Sequence, residues 1–298
     1  MHFHKKTNNY ERAIIKTLPK QAPFIESDTI CYRLKIKFKH MKKYILLLVL
    51  FVFTNSFVQR ENAFTTGEWV RLRIHYGMVN AGYATLEIKD AVKNNKKVHH
   101  VVGKGWTTGM AKFFFKVEDN YESYFDKETG KPYQFVRKID EGGYTKNQEG
   151  FFNQDKNQVV VKDYKKKTEK TFSTPEQIQD IVSSFYYLRN HPSIDKLKIN
   201  ESISIDMFFD DETTKFKLKF LGREDISTKF GKVSCMIFRP YVQAGRVFKE
   251  EESLTVWISD DDNKIPIRVK ASLAIGSIKA DLDAFKGLKN SFKVKVDK

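Results

Sequence analysis

The sequence predicts an all-β, mainly antiparallel fold: a large curved sheet, half-barrel or barrel, with one inserted helix at about 175–190. Three observations carry this. From Glu68 onward apolar and polar residues alternate with a period of two, the mark of strands with one face on a core and one in water. Turn-forming residues recur between the alternating runs. A single segment switches to helical spacing, and many strands without alternating helices argue for one curved sheet.

In the first strand Val70, Leu72, Ile74 and Tyr76 alternate with Arg71, Arg73 and His75. Ala84, Leu86 and Ile88 then alternate with Thr85, Glu87 and Lys89, and in Lys215–Phe220 every other residue is lysine. Asn94-Asn95, Glu128–Gly130, Gly142-Gly143, Asp210-Asp211 and Asp260–Asn263 supply the turns. For the helix, Thr174 is read as the N-cap, Pro175 fits the first turn and Gln177 stands at the capping-box position. Ile178, Ile181, Val182, Phe185 and Tyr186 follow at helical spacing, and Pro192 closes the run. No linker or internal repeat divides residues 60–298, which are expected to form a single antiparallel β domain.

Ahead of this domain, Lys42 and Lys43 precede the apolar run Tyr44–Phe53, and Thr54-Asn55-Ser56 offers small and polar residues for cleavage. Charge, a short apolar core and small residues make a secretory signal, here at about 41–59. The apolar run is ten residues long, against about 20 for a bilayer span. Residues 1–40 are expected to be a mispredicted upstream extension, with translation starting at Met41. No cysteine stands directly after the apolar core, which argues against a lipoprotein. The expectation is an exported, periplasmic protein.

The chain has 53 basic and 37 acidic residues. Residues 1–56 hold 11 and 3 of these, leaving 42 and 34, a net charge of about +8, in the rest. The lysines of that remainder alternate along strands instead of gathering on one element, which argues against a nucleic-acid partner. Cys235 is the one cysteine after the signal; among Val233, Met236 and Ile237 it reads as a small buried hydrophobe.

Candidate chemistry is sparse. His99 and His100 are adjacent on a strand and so point to opposite faces, and His75 and His191 lack metal spacing. Asp260–Asn263 has oxygen ligands but lacks the glycine and distal glutamate of a calcium loop, and reads as a hairpin connection. Glu250–Glu252 reads as a solvated charge run. No nucleophile elbow or zinc-protease string occurs. No catalytic residue, metal or cofactor is assigned. Asp180, Ser183 and Arg189 are read as structural polar positions, Asp180 bonding strand ends and Arg189 complementing the helix dipole. Aromatics crowd 106–135, and a curved sheet too wide for its own side chains leaves room on its inner face for an apolar ligand. Trp106, Met110, Phe113, Phe115, Tyr124 and Tyr186 are the candidate ligand-binding residues.

Four stretches in order resemble one family. Gln179–Arg189 (QDIVSSFYYLR) is similar to the helix signature of the domain-of-unknown-function 3108 family, a group of exported bacterial proteins. Gly67–Gly77 with Ala81-Gly82 resembles its opening hairpin, Gly222–Gly231 its second-half turn and Thr255–Val269 its late hairpin. The resemblance covers about residues 67–296. It implies a secreted or periplasmic antiparallel sheet, similar by fold analogy to the half-barrels of lipoprotein carriers. It brings no agreed activity.

The combined reading is a non-enzymatic periplasmic or envelope binding module that shelters an apolar or lipid-like ligand, or a partner protein, with any membrane contact transient. The alternatives are an envelope scaffold or assembly factor without a ligand cavity, and an enzyme acting on envelope polymers.

Overall fold

Fourteen strands form a single antiparallel sheet, in a computed structural model that describes residues 62–241, 254–273 and 276–295. The expected extension at 1–40, the signal at 41–59 and the run Glu250–Glu252 lie outside the described residues. The strands are β1 Trp69–Tyr76, β2 Val79–Lys93, β3 Lys96–Thr107, β4 Val117–Asp126, β5 Pro132–Glu141, β6 Tyr144–Asn153, β7 Gln158–Asp163 and β8 Thr168–Ser173. After a helical segment come β9 Ser202–Phe209, β10 Glu212–Thr228, β11 Gly231–Tyr241, β12 Leu254–Ser259, β13 Pro266–Ser272 and β14 Ser277–Lys286. Their order is β8-β7-β6-β5-β4-β3-β2-β1-β14-β13-β12-β11-β10-β9, so every pairing is between sequence neighbours except β1 with β14. Two meanders thus meet at a seam.

The turns form where residues tolerate positive φ. Asn94-Asn95, Gly142-Gly143 and Asp210-Asp211 all have both residues at positive φ and join β2–β3, β5–β6 and β9–β10. That twist matches the twist of the flanking strands. At Gly82 the reason for glycine is contact: an added Cβ would collide with the Trp106 carbonyl oxygen on β3.

The hydrogen-bond ladder does not close into a barrel. Its two edge strands approach through side chains instead, with the Phe172 ring on β8 5.4 Å from that of Phe208 on β9. The chain leaving β8 then runs beside β9 in parallel, Gln179 N–H donating to the Asp206 carbonyl at 3.0 Å and Phe208 N–H to the Gln179 carbonyl at 2.8 Å. This covers an edge that would otherwise invite pairing.

These bonds also correct the helix start. A four-residue helix, α1 (Ala111–Phe114), lies in the β3–β4 connection, and the main helix α2 is Ile181–Arg189 rather than 175–190. Gln179 is drawn into the bridge with β9, and Gln177 sits at φ 57°. The cap is Asp180, whose side chain accepts from the Val182 and Ser183 N–H groups while Ser183 Oγ accepts from Asp180 N–H. Thr174 caps nothing; its hydroxyl is buried without a partner.

α2 covers part of the hollow of the sheet. Val182 and Tyr186 pack on Ile88, Val101 and Phe125 of β2–β4 together with Ala63 and Phe64. Leu188, with Ile194 and Leu197 beyond it, packs on Ile203 and Ile205 of β9, Phe220 of β10 and Met236 and Phe238 of β11. Arg189, 2% exposed, pins this arrangement. Its guanidinium meets Glu68 side-on (Nη1–Oε1 2.5 Å, Nη2–Oε2 2.8 Å) and donates to the Asn263 and Ala63 carbonyls. The loop 260–265 is therefore a buried junction: Asp261 accepts from Ser259 Oγ at 2.7 Å, and buried Lys264 pairs with Asp195 at 2.8 Å.

Candidate functional site

The inner face of β1–β4 holds a cleft of about 330 Å³. Register builds it. Leu72, Ala84, Gly105 and Asp119 form one row across β1–β4, and Val70, Leu86, Gly103 and Tyr121 form the next. In a curved sheet such rows converge, so large side chains would fill the hollow; Ala84 and Gly105 leave it open. A Cβ on Gly105 would meet only the Cβ of Asp119, at 3.9 Å, whereas one on Gly103 would press on Leu86 at 3.2 Å. Gly105 therefore represents spare space, and Gly103 close packing. Because α2 begins only at Ile181, it covers part of the hollow, and Ile181 stays 40% exposed while it and Val182 line the cleft. The volume is at the lower end of small-molecule sites, and the lining is mostly apolar.

A polar wall stands beside the cleft and shares Tyr121 with it. Arg137 on β5, buried, pairs with Asp210 at 2.5 Å and lies 4.4 Å from the Phe209 ring centre and 5.7 Å from that of Tyr121. Lys146 on β6 joins the same Asp210 carboxylate. Burial would raise the Asp210 carboxyl, but Lys146 and Arg137 outweigh it and hold the group below its ordinary value. Burial pushes the Tyr121 hydroxyl above its ordinary value. Next to this wall, among Tyr121, Arg137, Gln148, Asp180 and Phe208, lies a space of about 20 Å³, room for about one water. Asp180 takes a 2.6 Å hydrogen bond from Ser123 of β4, and burial drives its carboxyl up to about 6 against the hydrogen bonds that favour its charge.

The six candidate ligand residues are not brought together, and none lines the cleft. Trp106 follows Gly105 and so faces the opposite side of the sheet, against Tyr83 at 5.9 Å. Tyr124 is on that outer side too, stacked on His100 at 4.0 Å. Met110, Phe113 and Phe115 are exposed in the β3–β4 connection. Tyr186 is buried core against Phe64 and Phe125. Of the structural polar set, Asp180 and Ser183 form the cap of α2, and Arg189 bonds Glu68 and loop carbonyls within the core. The residues that sequence reasoning missed carry a small signal. Gly103-Lys-Gly105 places two glycines on one face of a strand, and Ala84 adds a third small residue opposite them.

The histidines are dispersed. His99 lies inward near Phe64 and Phe125, and burial takes it down to about 4. His100 bonds Glu122 at 2.7 Å on the outer face, and His75 bonds Asp281 at 2.8 Å. Among the described residues no three of His, Cys, Asp and Glu group to hold a metal ion. Cys235 is buried, and burial raises its thiol to about 12.

A family model described as "Protein of unknown function (DUF3108)" matches residues 71–283. The chain belongs to the DUF3108 family. The match runs from β1 into β14, so both meanders of this DUF3108 sheet, the seam between them and all of α2 lie within it. Among solved structures, a beta-barrel-like protein of domain of unknown function DUF1849 from Brucella abortus is similar at 10% identity. The similarity covers 75% of this chain and 98% of that one, with a TM-score of 0.52, and it concerns the fold. A comparison with curated proteins found no match.

Proposed function

We propose that this DUF3108 chain is a non-enzymatic binding module of the cell envelope that holds an apolar or lipid-like ligand in the cleft of β1–β4. The observation that carries the reading is the row Leu72–Ala84–Gly105, where small residues keep a hollow open that the short helix α2 does not fill. A mostly apolar lining with Lys104 and Asp119 among it suits a ligand with an apolar body and a polar end. Titration with the fluorescent probe N-phenyl-1-naphthylamine tests it. Saturable enhancement is expected, and Gly105→Leu should weaken it more than roughly tenfold, because the new side chain displaces several methylene equivalents worth about 0.8 kcal/mol each. Probe binding unchanged by Gly105→Leu would reject the cleft and favour a scaffold without a ligand cavity.

The address rests on the segment Lys42–Ser56. Export predicts a mature protein that begins near Phe57 to Ala63. N-terminal sequencing of protein from the cell envelope reads this directly, and a mature chain that keeps Cys31 would reject it.

A further inference from the structure

We infer that the loop rim at one end of the sheet docks on an anionic lipid surface. The connections β1–β2, β3–β4, β5–β6 and β7–β8 all lie at the end of the sheet where odd-numbered strands finish. They are contiguous: the Phe115 ring sits where a Cβ on Gly142 would be, and Lys165 of the β7–β8 turn bonds Thr145 at the start of β6. At the other flank the Tyr76 ring packs on Gly276 of the β13–β14 turn.

This rim carries most of the exposed large apolar side chains among the described residues. Met78 is fully exposed, Phe113 is 90% and Phe114 83% exposed, and Met110 accompanies them. At the opposite end, Val92 and Ile199 are the large apolar side chains left exposed among the described residues. The apolar tips stand on two loops, Met78 on β1–β2 and the other three on β3–β4, so they suit a fluid medium better than a rigid partner. Charge selects which medium. Segments 77–78, 108–116, 142–143 and 164–167 contain Lys112, Lys116, Lys165, Lys166 and Lys167 and no Asp or Glu. In the acidic turn at this end Asp210 is tied to Arg137 and Lys146, and Asp211 offsets one of the rim's lysine charges. Lys116 is balanced by Glu118 and Asp140, so the rim's cationic charge comes from Lys112 and Lys165–Lys167; Lys112 beside Phe113 and Phe114 lets the rings enter a lipid interface while its ammonium group stays at the headgroups. Apolar insertion and cationic attraction are the two contributions that reversible membrane attachment requires. The inference uses rim residues alone and stands whether or not the cleft holds a ligand.

Quenching by lipids with brominated acyl chains tests it in the full chain, because the readout is local to each end of the sheet. Phe114→Trp marks the rim and Ile199→Trp marks the opposite end; both side chains are exposed, so the fold is retained. On vesicles of phosphatidylcholine with phosphatidylglycerol, the emission added by Phe114→Trp is expected to be quenched and that added by Ile199→Trp spared. Adding Lys112→Gln or Lys166→Gln should lower the vesicle partition constant about fivefold per lysine at low salt. Absence of rim quenching, equal quenching at both ends, or equal quenching on pure phosphatidylcholine would each overturn the inference. So would self-association without quenching that Phe113→Ser and Phe114→Ser abolish, since it would assign the rim to a second copy of the chain.

Discussion

Glu68→Gln and Arg189→Met, made singly and together, form the sharpest test of how this fold is held. The two side chains are 1% and 2% exposed, so each depends on the other for its counter-charge. Glu68→Gln leaves the guanidinium with carbonyl acceptors and no counter-charge. Breaking a buried pair in this way costs about 3–5 kcal/mol. Arg189→Met leaves a buried carboxylate and also strips donors from the Asn263 and Ala63 carbonyls, so it should lie at or above the top of that range. For a domain of this size each kcal/mol lowers Tm by about 2–4 °C, which puts Glu68→Gln roughly 6–20 °C below the unsubstituted protein. The double variant should be less destabilised than the sum of the singles by several kcal/mol, because the second substitution removes the orphaned charge. Urea unfolding followed by tryptophan fluorescence gives the three values from midpoints and slopes. A Glu68→Gln cost below about 1 kcal/mol, or strict additivity in the double variant, would refute the reasoning that the pair pins the helix to the sheet.

Two buried groups oppose each other in pH. Asp180, raised from 3.8 to about 6, contributes stability that is full below its unfolded value and lost as pH rises through about 6. His99, lowered from 6.5 to about 4, contributes stability that is full above 6.5 and lost as pH falls through about 4. Between these limits the effects offset, so Asp180→Asn should make stability climb with pH more steeply, and His99→Phe should make it decline; unfolding midpoints that keep the parental pH slope would contradict both. Gly82→Ala should destabilise by about 1–3 kcal/mol, because the added Cβ meets the β3 backbone at Trp106 and the strand must shift; an unchanged thermal midpoint would show that β2 and β3 can separate freely there.

Much of the fold was legible because its signals are local. The alternation in Val70–Tyr76 and Lys215–Phe220, and the paired turn residues Asn94-Asn95 and Asp210-Asp211, belong to backbone preferences that a few neighbouring residues decide. The ordered stretches from Gly67 to Val269 likewise pointed to the family that the whole-chain match establishes. The helix start was misread for the opposite reason. Thr174-Pro175 has a good local N-terminal pattern, but Gln179 gains two backbone hydrogen bonds to β9, a strand 20 to 30 residues further on, and so moves the cap to Asp180.

The candidate site depended still more on tertiary structure. Composition put the aromatics of 106–135 in view, yet strand pleat sends Trp106 and Tyr124 outward, and the lid of α2 buries Tyr186. The cleft exists where side chains are missing, at Ala84 and Gly105, and an absence becomes a cavity only when register aligns it across neighbouring strands. By itself the sequence determined an antiparallel sheet, its turns and its family. Only the tertiary structure decided that Arg189 would meet Glu68 across 121 positions, that the sheet's edges would meet without closing, and which inner face would stay open. Those outcomes depend on contacts between residues far apart in the chain, whose geometry no local period encodes.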